Sequence, residues 1–150
     1  MATELSIARS PDPDAVRQPI AALLSRFNHE SVGEEQREPF ALTIGPPGAP
    51  EAGAILGGLW AFSLWGSFYV NIVVVPEVAR GQGLGAELMR QAEQEARVRG
   101  CGHIWLDTFA FQARGFYERL GFEVFGRLDG LAPYYPRYFM QKNLDTPADG

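Results

Sequence analysis

Arg80-Gly81-Gln82-Gly83-Leu84-Gly85 is the stretch on which the reading of this 150-residue sequence turns. It follows an apolar run from Phe68 to Val75 with β character and opens an amphipathic helical pattern from Gly83 to Arg99. A strand that enters a glycine turn and then a helix N-terminus is a place to hold phosphate. The first helical turn carries N–H groups without intrahelical partners, and the helix dipole adds partial positive charge there. Glycine lets the backbone approach an anion and tolerates the dihedrals of the turn. Arg80 adds a cation with forked donor geometry. A nucleotide-like pyrophosphate ligand is the first expectation.

Three readings of the turn compete. A P-loop needs a lysine after its last glycine, and none follows here. Gly81-x-Gly83-x-x-Ala86 fits a dinucleotide fingerprint, with Asp107 placed for a ribose. Against it, Pro76-Glu-Val-Ala-Arg80 separates strand from turn, and the preceding segments read as hairpins instead of βαβ units. The third reading is a bare helix cap, which the glycines by themselves would also satisfy.

Working outward, Leu5–Arg9 alternates as a short strand. A helix is expected from about Asp14 to Asn28, with Val16, Ile20, Leu23, Leu24 and Phe27 at helical spacing and Asp and Pro at its entry. Glu30 to Glu38 reads as loop or short helix. Phe40–Ile44 and Ala54–Leu64 read as strands around a Pro/Gly-rich turn, and Gly66-Ser67 as the turn before the Phe68–Val75 strand. His103–Thr108 is a strand, Gln112–Leu120 a helix, and Phe122–Phe125 and Tyr138–Lys142 the last strands. Residues 1–145 are expected to form a single domain, with 146–150 a flexible tail.

The net charge of −5 argues against a general nucleic-acid surface. One cysteine, Cys101, cannot form an intrachain disulfide and reads as a buried structural thiol. With only His29 and His103 as histidines, no metal is expected. The sequence shows no signal peptide and no apolar run of membrane-spanning length, so a cytoplasmic protein is expected.

Two motifs in order sharpen the turn. Val75-Pro76-x-x-x-Arg80-Gly81-x-Gly83-x-Gly85, followed by Phe116-Tyr-Glu-Arg-Leu-Gly-Phe122, resembles the GNAT superfamily of acetyl-CoA-dependent N-acetyltransferases. The first matches that family's pyrophosphate loop, the second its Phe-Tyr-Glu-Lys-x-Gly-Phe signature. The resemblance implies an α/β (α+β) fold: a mixed, mostly antiparallel sheet of six or seven strands, splayed at a central bulged strand and flanked by about four helices. It implies acetyl-CoA as co-substrate, with pantetheine along Ile72, Val73, Val74 and Val75. Pyrophosphate would be held by amides of Arg80, Gly81, Gln82, Gly83, Leu84, Gly85 and Ala86, with Phe116 also at the cofactor and Gln112 either there, where many relatives carry Asn, or facing solvent.

Acetyl transfer needs a neutral amine, a polarised thioester, a proton for the departing thiolate and alignment of both substrates. Tyr117 matches the tyrosine that the family places near the cofactor sulfur, and the resemblance makes it the general acid. Many members carry an acid on the central strand where this chain has Asn71. Asp107 and Glu77 are the alternatives for a base, with Asp107 read as a solvated or hydrogen-bonded strand end, and a water relay or an amine arriving partly deprotonated would remove the need for either. Trp60, Trp65 and the Pro133–Pro136 loop are candidates for an acceptor pocket. The acceptor is expected to be a small-molecule or peptide amine. A catalytically silent acyl-CoA sensor is the alternative function, and a homodimer through a strand edge near the C-terminus is compatible with the sequence.

Overall fold

The computed structural model describes residues 2–48 and 52–144. The expected tail, 146–150, lies outside the described residues. The chain divides into two compact units, residues 1–35 and 36–150. The first holds one helix, α1 (Pro13–Val32), with Pro13 inside its first turn. Asp12 caps it, its Oδ1 accepting from the Ala15 amide at 3.2 Å. The helix runs past the expected Asn28 to Gly33, whose amide donates to His29 O, so much of the uncertain Glu30–Glu38 stretch is a helix end followed by loop. Leu5–Arg9 is not a strand. Its alternation is real, but no neighbouring ladder takes it up among the described residues, and a strand without a partner does not hold its extended backbone.

The second unit is a six-stranded sheet of order β1-β2-β3-β4-β6-β5. Its strands are β1 (Glu38–Ile44), β2 (Gly57–Leu64), β3 (Ser67–Val74), β4 (His103–Phe109), β5 (Glu123–Leu128) and β6 (Arg137–Asn143), with helices α2 (Leu84–Val98) and α3 (Arg114–Arg119). The expected complement of about four helices resolves into three α-helices and two single-turn 3₁₀ segments among the described residues. Every strand pair is antiparallel except β3–β4. One parallel pair is incompatible with a doubly wound dinucleotide fold, which is built from successive parallel strands.

The β2–β3 hairpin turns at Trp65-Gly66, one residue earlier than expected. Both have positive φ (49° and 78°), and Leu64 pairs with Ser67. That is the two-residue hairpin turn whose twist suits the flanking strands. The core lies where α2 meets the sheet. Leu88, Met89, Ala92 and Ala96 face Leu59, Ala61, Phe68, Val70, Ile104, Leu106 and Met140. Ala92 and Ala96 are fully buried, and their small size lets the helix sit close to the strands. Each large apolar side chain buried here is worth about 1.5–3 kcal/mol. Arg99, at the end of α2, donates to Glu95, to the carbonyls of Glu38 and Pro39 and to Ser63 Oγ, tying the helix to β1 and β2. The sheet edge nearest the C-terminus is β5; the last strand, β6, is interior.

Candidate active site

β3 and β4 pair at only three positions, Ser67–His103, Phe68–Ile104 and Tyr69–Trp105. Beyond Tyr69 they diverge, while β2 follows β3 to Val74 and β6 follows β4 to Phe109. The facing edges of β3 from Val70 and β4 from Leu106 therefore carry backbone groups with no ladder partner. The β2–β3 register explains the onset. Trp60 pairs with Ile72 and Ala61 with Val70, so Asn71 is the extra residue of a bulge. A bulge bends its strand and ends regular pairing. The expected splay and bulge are both present.

Past β3, Glu77–Ala79 forms a single 3₁₀ turn that fills the interval between strand and glycines. Gly81 and Gly83 have φ of 84° and 75°, and a Cβ on either would touch nothing within 4 Å. Backbone conformation, not space, requires glycine at both. Gly85 is the opposite case: its Cβ would stand 3.2 Å from Phe116 Cζ and 3.4 Å from Val75 Cγ2. It lets α2 approach α3 and the end of β3. The Arg80 and Gln82 amides donate back to Glu77 O and Ala79 O, at 3.2 and 3.4 Å. The amides with no protein acceptor among the described residues are those of Gly81, Gly83 and the first helical turn, Leu84 to Ala86. The Arg80 side chain is exposed and makes no ion pair among the described residues.

Two cavities meet here. One, about 420 Å³, is walled by Val73, Val75, Ala79–Gly81, Gly83–Ala86, Ala113, Phe116 and Tyr117. The other, about 340 Å³, opens between the splayed strands and is walled by Val70–Val74, Leu106–Thr108, Gln112, Ala113 and Tyr117. Val73, Ala113 and Tyr117 belong to both. Tyr117 is held edge-on between Phe116 and Phe122, at centroid distances of 5.1 and 5.9 Å. Burial pushes its phenol above the ordinary value of 10.0. No side chain hydrogen-bonds the hydroxyl among the described residues, and none of their buried polar side-chain atoms lacks a partner, so the hydroxyl reaches open space. Ile72 and Val74 lie on the splayed strand and are about half exposed.

Gln112 is exposed, with its oxygen engaged locally. Oε1 accepts from the Phe109 amide at 2.7 Å and from Thr108 Oγ1 at 3.3 Å, closing the turn from β4 into α3. What it retains toward the cavity is its amide nitrogen.

Asp107 stands in the wall of the cavity that contains Tyr117, a placement the sequence did not indicate. Its Oδ1 accepts from Tyr69 Oη at 2.7 Å, and its Oδ2 from Arg137 Nε and Nη2 at 2.9 and 2.6 Å. Asn71 Nδ2 donates to Tyr69 Oη at 3.3 Å. Tyr69 stacks on Trp105 with centroids 4.1 Å apart, and burial is the largest influence raising its phenol above the ordinary range. The sequence places Tyr69 among aromatics on the expected acceptor side without a polar role, and gives no sign of Arg137. The available signal was the alternation along His103–Phe109, which puts Ile104, Leu106 and Thr108 inward and Asp107 on the other face. In the β4–β6 register Arg137 faces Phe109, diagonal to Asp107. Glu77 lines neither cavity. Trp65, at the hairpin tip, is at the wrong end of β3, roughly 25 Å of strand from the splayed end. Trp60 pairs with Ile72 beside the bulge, and the Pro133–Pro136 loop is tied to the end of β4 by the Ala110 amide on Pro136 O, at 2.9 Å. No group of three or more His, Cys, Asp or Glu is placed to hold a metal ion among the described residues.

Residues 8–122 match the Acetyltransferase (GNAT) family. The chain is 34% identical over 126 residues to acetyltransferase Atu2258 of Agrobacterium fabrum, covering 84% of this chain and 86% of that protein. It is 35% identical over 95 residues to the blasticidin-S acetyltransferase of Streptomyces morookaense, covering 63% and 70%. A crystal structure of an Agrobacterium tumefaciens protein described as an acetyltransferase superposes with a TM-score of 0.80 at 30% identity, over 95% of this chain and 100% of the other. With the splayed, bulged sheet and the glycine turn at its open end, these matches identify the chain as a member of the GNAT family and an acetyl-CoA-dependent N-acetyltransferase.

Proposed function

We propose that the chain transfers the acetyl group of acetyl-CoA to a primary amine of a small molecule or peptide by direct attack, with Tyr117 as general acid. The observation that carries this reading is the position of Tyr117 where the two cavities meet, one ending in the glycine turn and the other open between the strands. Pyrophosphate would lie on the amides of Gly81, Gly83 and Leu84–Ala86 with Arg80 alongside. Pantetheine would run against Ile72–Val75, with Phe116 at its flank and the Gln112 amide nitrogen as a donor to its carbonyls. The amine nitrogen attacks the thioester carbon, the C–N bond forms and the C–S bond breaks. The departing sulfur takes the Tyr117 proton, and the proton shed by the nitrogen returns to Tyr117 through solvent. A phenol held above its usual value by burial keeps its proton at neutral pH, as an acid must.

The family match spans both compact units, which supports reading residues 1–145 as one acetyltransferase domain. A single cysteine supports a reducing, cytoplasmic setting. No helix among the described residues is long and apolar enough to cross a membrane.

Thermal stability with acetyl-CoA, CoA and NAD, followed by thiol release across a panel of small amines, blasticidin S and peptides, tests the reading. Acetyl-CoA at 100 times its Kd stabilises by ~2.7 kcal/mol. Stabilisation by acetyl-CoA with thiol release for at least one amine is expected. Stabilisation without release for any amine would favour a sensor, and no stabilisation would remove the donor site.

A further inference from the structure

The cluster of Asn71, Tyr69, Asp107 and Arg137 has a direction. Tyr69 has one hydroxyl hydrogen, and the 2.7 Å contact to Asp107 Oδ1 uses it, since a carboxylate only accepts. The 3.3 Å contact between Tyr69 and Asn71 must then be made by the Asn71 NH₂ group. That fixes the Asn71 amide and leaves its oxygen, Oδ1, unused by the cluster. Arg137 adds two donors to Asp107 Oδ2. Three of about four acceptor positions on the carboxylate are thereby filled, and one remains. Asn71 and Asp107 both line the cavity between the splayed strands. The Tyr69 hydroxyl hydrogen and two Arg137 N–H groups are spent on Asp107 and one Asn71 N–H on Tyr69, so the acceptors the cluster keeps for the cavity are Asn71 Oδ1 and the remaining position on Asp107.

Resting on the acetyl-transfer reading above, we propose that Asn71 Oδ1 and Asp107 anchor the acceptor's nitrogen, that Tyr69 positions them, and that the site selects a primary amine with no carboxylate on the neighbouring carbon. An ammonium or amine nitrogen brings two or three N–H donors and matches two acceptors. A hydroxyl brings one. The carboxylate of an α-amino acid would stand beside the Asp107 carboxylate, and the two Arg137 N–H groups aimed at that place are already spent on Asp107. The site therefore discriminates by like charge as much as by attraction.

Three compounds with one body separate these head groups: 2-phenylethylamine, L-phenylalanine and 2-phenylethanol. A second series, n-butylamine, L-norvaline and n-butanol, controls for the body. Binding to the CoA-loaded protein is read by saturation-transfer NMR. An amine of at least one series binds, and its amino acid and alcohol bind about tenfold or more weakly, as expected for losing a charge-assisted hydrogen bond. Asp107→Asn and Asn71→Ala each weaken the amine about tenfold, and Tyr69→Phe narrows the amine-to-alcohol ratio, which a purely structural role would not move. Asn71 is an exposed bulge residue, so its variant tests the site even if Asp107→Asn misfolds. Amine binding unchanged in both variants, amino acids binding as well as amines, or no amine binding in either series would overturn the assignment. Acetyl-CoA stabilisation of the wild type is measured alongside. Its loss would sink the donor reading, whereas its retention with unselective head-group binding would sink only this one.

Discussion

The two cavities that meet at Tyr117 are built in different ways. The one at the glycine turn is made of backbone: positive-φ glycines, the first turn of α2 and the apolar faces of Val73, Val75 and Phe116. The one between the strands adds the Asn71 and Asp107 side chains to the unpaired backbone edges of β3 and β4, and Arg137 of β6 holds Asp107. A backbone site suits a ligand shared by a whole family, because amides and φ angles survive most side-chain changes. A side-chain site can be rewritten one residue at a time, which is what acceptor choice requires. Substitutions should accordingly split into those that touch the donor and those that touch the acceptor, with Tyr117 touching neither affinity and both chemistries.

Tyr117→Phe is the largest expected effect. It keeps the ring between Phe116 and Phe122 and removes only the proton, so kcat should fall about 100-fold or more. Acetyl-CoA stabilisation and amine binding should stay as they are. Because burial raises the phenol above 10.0, any loss of wild-type turnover from ionising Tyr117 belongs above pH 10. Stopped-time thiol release across a pH series checks both. An unchanged kcat at every pH would remove Tyr117 from the chemistry.

The contrast also explains what the sequence disclosed. The proposed donor site is nearly contiguous: a strand, Arg80 to Gly85 and a helix, with Gln112, Ala113, Phe116 and Tyr117 arriving from elsewhere, the last two in their own short motif. Local spacing carries such a site. The acceptor cluster joins residues 69, 71, 107 and 137, and nothing in the neighbourhood of any one of them signals the others. Their meeting depends on β4 entering beside β3 and β6 beside β4, facts of topology. The sequence assigns anion approach and turn dihedrals to the glycines as a group, whereas Gly81 and Gly83 answer to φ and Gly85 to the Phe116 ring. Leu5–Arg9 failed for the converse reason: its local pattern was a strand's, and no partner strand exists to use it among the described residues.

Gly83→Val should come second. A β-branched residue at φ 75° is strained by about 1–2 kcal/mol or more, and the turn will shift to relieve it. Acetyl-CoA affinity should drop about tenfold, the same energy expressed as a Kd ratio. The amine-to-alcohol selectivity of the CoA-loaded protein should be untouched. If the selectivity collapses as well, the two cavities are not separable. Arg80→Ala should be milder and salt-dependent. An exposed cation beside a pyrophosphate loses most of its pull when the screening length shrinks to about 3 Å in 1 M salt. Titrations at low and high salt should therefore converge on the wild type, and a deficit that persists in high salt would mean that Arg80 shapes the turn.

The smallest effect tests whether the frame behind both cavities is shared. Lys142 Nζ on β6 pairs with Glu93 Oε2 on α2 at 2.9 Å, joining the donor's helix to the strand that carries Arg137. Partial burial works against the Glu93 charge, yet the Lys142 and Arg97 hydrogen bonds outweigh it and hold the carboxyl below its usual 4.5. A carboxyl lower in the folded than in the unfolded state stabilises the fold above pH 4.5, and that contribution drains away as pH falls through the folded value. Lys142→Met should thus cost less than about 1 kcal/mol at pH 7, the range of partly exposed ion pairs. The variant should also lose less stability than the wild type between pH 5 and pH 3, roughly the interval in which such a carboxyl titrates. Urea midpoints at both pH values measure this difference. Donor and acceptor affinities at pH 7 should not move, because the tie lies outside the walls of both cavities. A change in either would show that the helix and the strand transmit strain to the site they support.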